Sequence, residues 1–157
     1  MKAAVDATAI AKVPEYLSDE EAACVPLTAL TALQAFELMH PKAGETVFIS
    51  GGTGSLVSLR GLPNGEFAVR SGMSFLKRMM FKMAGRKYDK MAAAKGQKYF
   101  FIFVHEDGAG LERTSEIFKD TPLEASVDEV FSLDDVNKAM KKVASGGSKG
   151  KTILKIL

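Results

Sequence analysis

Hydrophobic and polar positions along the chain divide it into short, regular blocks. The first 17 residues alternate too loosely for a strand or a helix, and read as extended or irregular as far as Pro14. Ser18-Asp-Glu-Glu21 is a capping box, with Ser18 as N-cap and Glu21 three residues on, so a short helix should follow. Pro26 suits the first turn of a second helix. That helix runs through LTALTALQAFELM and stops near His40-Pro41, with His40 as a C-cap. It is apolar on nearly every face, which predicts burial.

A turn at 42–45 leads to Thr46–Ser50, an apolar, β-branched and aromatic strand. Leu56–Leu59 reads as another strand and Gly61–Gly65 as a loop. Residues 73–96 are helical, with a break expected near Gly85. Tyr99–Val104, YFFIFV, is one strand. A helix starts at Asp107 or Gly108 and ends by Thr121-Pro122. Val127–Phe131 is a strand, Ser132 caps a helix over 134–144, and Gly146-Gly147 stops it. Thr152–Leu157 is the last strand. Strands and helices alternate from Thr46 onward, so the fold class is α/β.

Between Ser50 and Leu56 lies Gly51-Gly52-Thr53-Gly54-Ser55. Two chemistries compete for it. As a dinucleotide fingerprint, its glycines would let the backbone approach a pyrophosphate while a following helix points free N–H groups at the anion. As a hairpin, it would simply turn the chain between two apolar runs. Nothing helical follows Ser55, so local pattern favours the hairpin. Strands joined by so short a link can pair with each other only antiparallel.

Composition adds limits. The chain has 157 residues, enough for one domain with a core, and its 46% hydrophobic and 25% charged content is that of a globular protein. The net charge of +2 is too small to drive affinity for nucleic acid across the whole surface. Cys24 is the single cysteine, so no intrachain disulfide or cysteine zinc cluster forms, which suits a reducing cytoplasm. The N-terminus lacks a signal-peptide core, and no run reaches the roughly 20 apolar residues of a membrane span. A cytoplasmic location is the expectation.

PLTALTALQAF and KAGETVFISGGTGS resemble the start of the cofactor domain of medium-chain dehydrogenase/reductases, nearest their zinc-independent quinone oxidoreductase branch. LVSLRGLPNG resembles that family's fifth strand and the loop after it. FFIFVHEDGAGLERTSEIF resembles its sixth strand and helix, and DEVFSLDDVNKAMKKVASGGSKGKTILKIL its closing segment. The resemblance covers nearly the whole chain, in family order. It implies a single partial cofactor-binding domain over 1–157, with 1–55 its start and 56–157 its C-terminal half. The fold implied is a truncated Rossmann-like, doubly wound domain with a reduced or mixed sheet. The substrate domain and the second to fourth strands have no counterpart here.

The resemblance also assigns residues. Gly51, Gly52, Thr53, Gly54 and Ser55 match the pyrophosphate loop. Thr31 matches a threonine near the nicotinamide, and Leu59, Arg60, Gly61, Phe103 and Val104 match the nicotinamide pocket. The implied cofactor is NADPH or NADH, the implied reaction reduction of a quinone or an activated alkene, and the implied metal none. No catalytic side chain is assigned. With the ribose-binding strands absent, cofactor binding and activity should be low or nil. The alternative is a non-catalytic, self-associating interaction module.

Other candidates carry less. His105-Glu106-Asp107 reads as a solvated loop rather than a metal site, since three adjacent residues rarely converge on one ion. Cys24 reads as a small buried apolar residue. Tyr99–Val104 would form a homodimer or domain-swapped edge, because an unpaired apolar edge strand invites association. Residues 76–98 carry eight basic residues against Asp89 alone, a net of +7. Leu76, Met79, Met80 and Met83 share one helical face there. The favoured reading puts the methionines in the core and the lysines in water; contact with an anionic membrane surface is the other.

Overall fold

The computed structural model describes residues 4–43, 56–58, 61–121 and 125–156. Among them are helices α1 (Asp19–Met39), α2 (Gly65–Arg70), α3 (Phe75–Ala93), α4 (Gly108–Ile117) and α5 (Val136–Ser145). The strands are β1 (Leu56–Ser58), β2 (Tyr99–Phe101), β3 (Val127–Ser132) and β4 (Lys151–Lys155). β1 pairs with β2, and β3 with β4, both in parallel. The fold is mixed α/β, a truncated Rossmann-like arrangement of helices and parallel strands. Thr46–Ser50, with the hairpin expected to follow it, lies outside the described residues.

The chain forms two compact units, Met1–Leu33 with His105–Leu157, and Gln34–Val104. In the second unit, β1 and β2 are joined by α2 and α3, the crossover that a parallel pair needs. The register sets Leu56 opposite Tyr99 and Ser58 opposite Phe101, and the Ile102 amide extends the ladder to the Ser58 carbonyl. Phe67 of α2 meets Phe101 and Phe81 edge-on, at ring separations of 5.0 and 6.3 Å. Tyr88 stacks on Tyr99 at 5.1 Å.

The expected break in α3 does not occur, because Gly85 has a packing role instead. A side chain there would overlap the backbone of Asn64. The packed face of α3 is Phe81, Gly85, Tyr88, Asp89 and Ala92. The methionines are not in the core: Met80 is 63% and Met83 75% exposed, with Leu76 beside them at 72%. Glycine and alanine at 85 and 92 let α2 and β2 approach closely, so the small-residue stripe is the buried one.

In the first unit, the Ser18 capping box forms as expected: the Ser18 amide donates to Glu21 Oε2 at 2.9 Å and the Glu21 amide to Ser18 Oγ at 3.3 Å. The helix it starts is a single one that continues through Pro26. Nucleated upstream by the cap, it loses only the hydrogen bond that Pro26 cannot donate. Nor is α1 generally buried. Cys24, Leu30 and Gln34 are, whereas Leu27 is 65% exposed, because the packed elements reach only part of its surface. By length and composition α1 could also cross a membrane, which corrects the sequence reading: its acidic first turn falls outside the apolar stretch. At its end His40 takes φ +45°, the left-handed capping conformation, and its amide bonds the Phe36 carbonyl.

Asp107 caps α4, accepting from the Gly110 amide at 2.9 Å. Gly108 lies against the carbonyls of Thr8 and Ile10, leaving no room for a side chain. β3 and β4 flank α5, which ends at Gly146 and Gly147, both with positive φ. A 3₁₀ turn at Leu133–Asp135 precedes α5, so the helix starts later than the expected 134.

Candidate functional site

Open parallel sheets bind ligands beyond the carboxyl ends of their strands, because the loops there are free to diverge and helix N-termini face them. In the second unit that place follows Ser58 and Phe101. Gly61 stands there on the β1 side, and Phe103 and Val104 on the β2 side. Three residues expected in the nicotinamide pocket therefore follow adjacent, parallel strands. Phe103 is 76% exposed, so its ring is available for stacking.

Gly61 is fixed by its neighbours. Its amide donates to Ser58 Oγ at 3.0 Å, and a side chain at this position would overlap the Tyr99 hydroxyl. That hydroxyl donates to the Leu62 carbonyl at 3.0 Å. Burial pushes the Tyr99 phenol up from its ordinary value, so it stays protonated and keeps donating.

One residue further, Asn64 is a buried hub at 2% exposure. Its Oδ1 accepts from the Phe67 amide at 3.1 Å and caps α2. Its Nδ2 donates to Asp89 Oδ1 at 2.7 Å and to the Tyr99 carbonyl at 3.1 Å. Arg70 reaches back from α2 to the Phe101 carbonyl at 2.8 Å. These groups hold the β1 exit, α2, α3 and β2 together. Sequence reading missed them: it took Gly61–Gly65 as a plain loop, although Asn before Gly-Glu is an N-cap signal.

Thr31 belongs to the other unit, and its Oγ1 donates to the Leu27 carbonyl at 2.6 Å. Gly51, Gly52, Thr53, Gly54, Ser55, Leu59 and Arg60 lie outside the described residues. In the first unit, a cavity of about 80 Å³ is lined by Val13, Tyr16, Val25, Leu111 and Phe118 among others. That is well below the roughly 300 Å³ of the smallest usual ligand pockets.

Metal chemistry finds no donor set here. Among the described residues, no three His, Cys, Asp or Glu side chains are placed to hold one ion. Asp107 is occupied as the α4 cap, and Cys24 is buried, donates to the Glu20 carbonyl at 3.5 Å and has its thiol pushed up by burial.

A family model described as "Zinc-binding dehydrogenase" matches residues 23–154. No curated protein and no solved structure gives a significant match. The match runs from α1 through β1 and β2 to β4, taking in the strand ends where Gly61, Phe103 and Val104 stand, and on that span the chain belongs to the zinc-binding dehydrogenase family, within the medium-chain dehydrogenase/reductases.

Proposed function

We propose that the chain is a nicotinamide-cofactor domain of an NAD(P)H-dependent oxidoreductase, of the branch that reduces quinones or activated alkenes, and that its own affinity for the cofactor is weak. The observation that carries this reading is the parallel pairing of β1 with β2, with Gly61 and Phe103–Val104 at their carboxyl ends. The exposed Phe103 ring beside the strand ends suits stacking on a flat ring. These residues fit the nicotinamide half of the cofactor.

When bound, the cofactor supplies the hydride, and the protein's part is to hold it. Ser58 and Tyr99 fix the Gly61 backbone in place, the Tyr99 hydroxyl filling the space that a side chain there would take. Phe103 offers an exposed apolar ring there, with the half-buried Val104 next to it in the chain. The family's name carries zinc, but the described residues do not fit a zinc site. Weak affinity follows from the sequence: a glycine-rich loop with few aligned N–H groups holds an anion poorly without a supporting helix and a complete nucleotide pocket. Among the described residues β2 has β1 as its one neighbour, so its open edge suits pairing with a second copy in the cytoplasm.

The deciding experiment is a titration of the purified chain with NADPH and with NADH, followed by nicotinamide fluorescence and thermal shift. Saturation in the high micromolar to millimolar range, weakened by Phe103→Ala, is the expected result. No signal at millimolar concentration would overturn the reading and leave an interaction module.

A further inference from the structure

The outer surface of α3 is unlike that of the other described helices. At 100° per residue, Leu76, Met79, Met80 and Met83 point away from the packed stripe of Phe81, Gly85, Tyr88 and Ala92. All four are exposed, and Phe75 at the helix start is 78% exposed. The same outward side continues into Arg86, Lys87 and Lys90. Among the described residues, no ion pair engages Lys77, Arg86, Lys87 or Lys90. The single acid of the segment, Asp89, is turned inward onto Asn64. An apolar patch and an uncompensated positive charge therefore share one 19-residue helix face.

The geometry points to a surface of anionic phospholipid as the occupant of this face. Leu76, Met79, Met80 and Met83 enter the boundary between headgroups and acyl chains, and Arg86, Lys87 and Lys90 sit on the phosphates. Charge complementarity decides the choice. A second copy would bring the same positive face and repel in a twofold contact. Nucleic acid would match the charge but leave the Leu and Met side chains in water. A bilayer surface offers hydrocarbon and a continuous negative field side by side, which is what an interfacial amphipathic helix uses. This inference is independent of cofactor binding.

The test is co-sedimentation of the full chain with phosphatidylcholine vesicles, with and without about three tenths phosphatidylglycerol. Binding should require the anionic lipid and weaken strongly between ionic strengths of about 0.1 M and about 1 M, as the Debye length falls from roughly 10 to 3 Å. The variant Arg86→Gln/Lys87→Gln/Lys90→Gln should lose affinity by on the order of a hundredfold, since each cation near such a surface contributes about a fivefold factor. Met80→Ser/Met83→Ser should lower affinity for the same vesicles while the salt dependence stays steep. All five side chains are exposed, and far-ultraviolet dichroism checks that the variants keep their helices. Binding that is absent at low salt, equal on neutral vesicles, or unchanged in both variants would overturn the proposal. So would binding of an acidic protein or RNA to this face with no binding to anionic vesicles at low salt.

Discussion

Asn64 and Asp89 are joined by a 2.7 Å hydrogen bond from Nδ2 to Oδ1, 25 residues apart in the chain. With the bond from Nδ2 to the Tyr99 carbonyl and the cap on Phe67, it ties the turn after β1 to both neighbouring helices and to β2. Replacing Asn64 with Ala removes the cap and leaves the Tyr99 carbonyl without this donor. A loss of about 2–4 kcal/mol in urea unfolding is expected. Asn64→Asp should lose comparable stability, because it sets a carboxylate against Asp89 and removes both donors. A loss under about 0.5 kcal/mol in either variant would contradict the hub.

Gly85 gives an opposite sign to the usual helix rule. In an open helix interior, Gly→Ala stabilises by about 1 kcal/mol. Here the new Cβ would overlap Asn64, so Gly85→Ala should destabilise by about 1–3 kcal/mol, seen as a lower thermal midpoint.

Cys24 should be slow toward thiol reagents. Burial pushes its thiol up and the sulfur lies 3.5 Å from the Glu20 carbonyl, so little thiolate forms near neutrality. Ellman's reagent should react at least about tenfold more slowly with the folded chain than in denaturant. Equal rates would show that α1 opens freely at this point.

The acid and alkaline limits of the first unit follow from its ion pairs. Lys155, Lys142 and Lys138 hold the carboxyls of Glu20, Asp128 and Asp135 below the usual range, through contacts of 2.7, 2.9 and 2.7 Å. A depressed carboxyl stabilises the fold above its unfolded pKa near about 4, and that contribution is lost as pH falls through the folded value. The three lysines are raised in turn, Lys155 by Glu20, Lys138 by Asp135, and Lys142 first by Glu129 and then by Asp128. Their contribution is present below about 10.4 and lost as pH rises through the folded values. The thermal midpoint should therefore be flat between these limits and fall beyond each. Lys142→Met should shallow both limbs, modestly, since the pairs face solvent.

Much of the local structure was legible in the residues themselves. Ser18-Asp-Glu-Glu21 specifies a capping box, Asp107 or Gly108 a helix start, and Gly146-Gly147 a helix stop, because each acts within a few residues of backbone. The alternation of strands and helices gave α/β by the same local rules. Burial could not be read that way. α1 is apolar yet buries only Cys24, Leu30 and Gln34, and α3 buries Gly85 and Ala92 while showing its methionines, because burial depends on which neighbour covers a face. Pairing was equally nonlocal: β1 joins β2 across the whole of α2 and α3, and only that register sets Gly61 and Phe103 beyond adjacent strand ends. The sequence by itself determined the α/β class and those helix ends that a capping box or a glycine pair marks within a few residues. The tertiary structure alone decided which faces meet, since close approach at Asn64, Gly85 and Tyr99 is a property of space rather than of spacing along the chain.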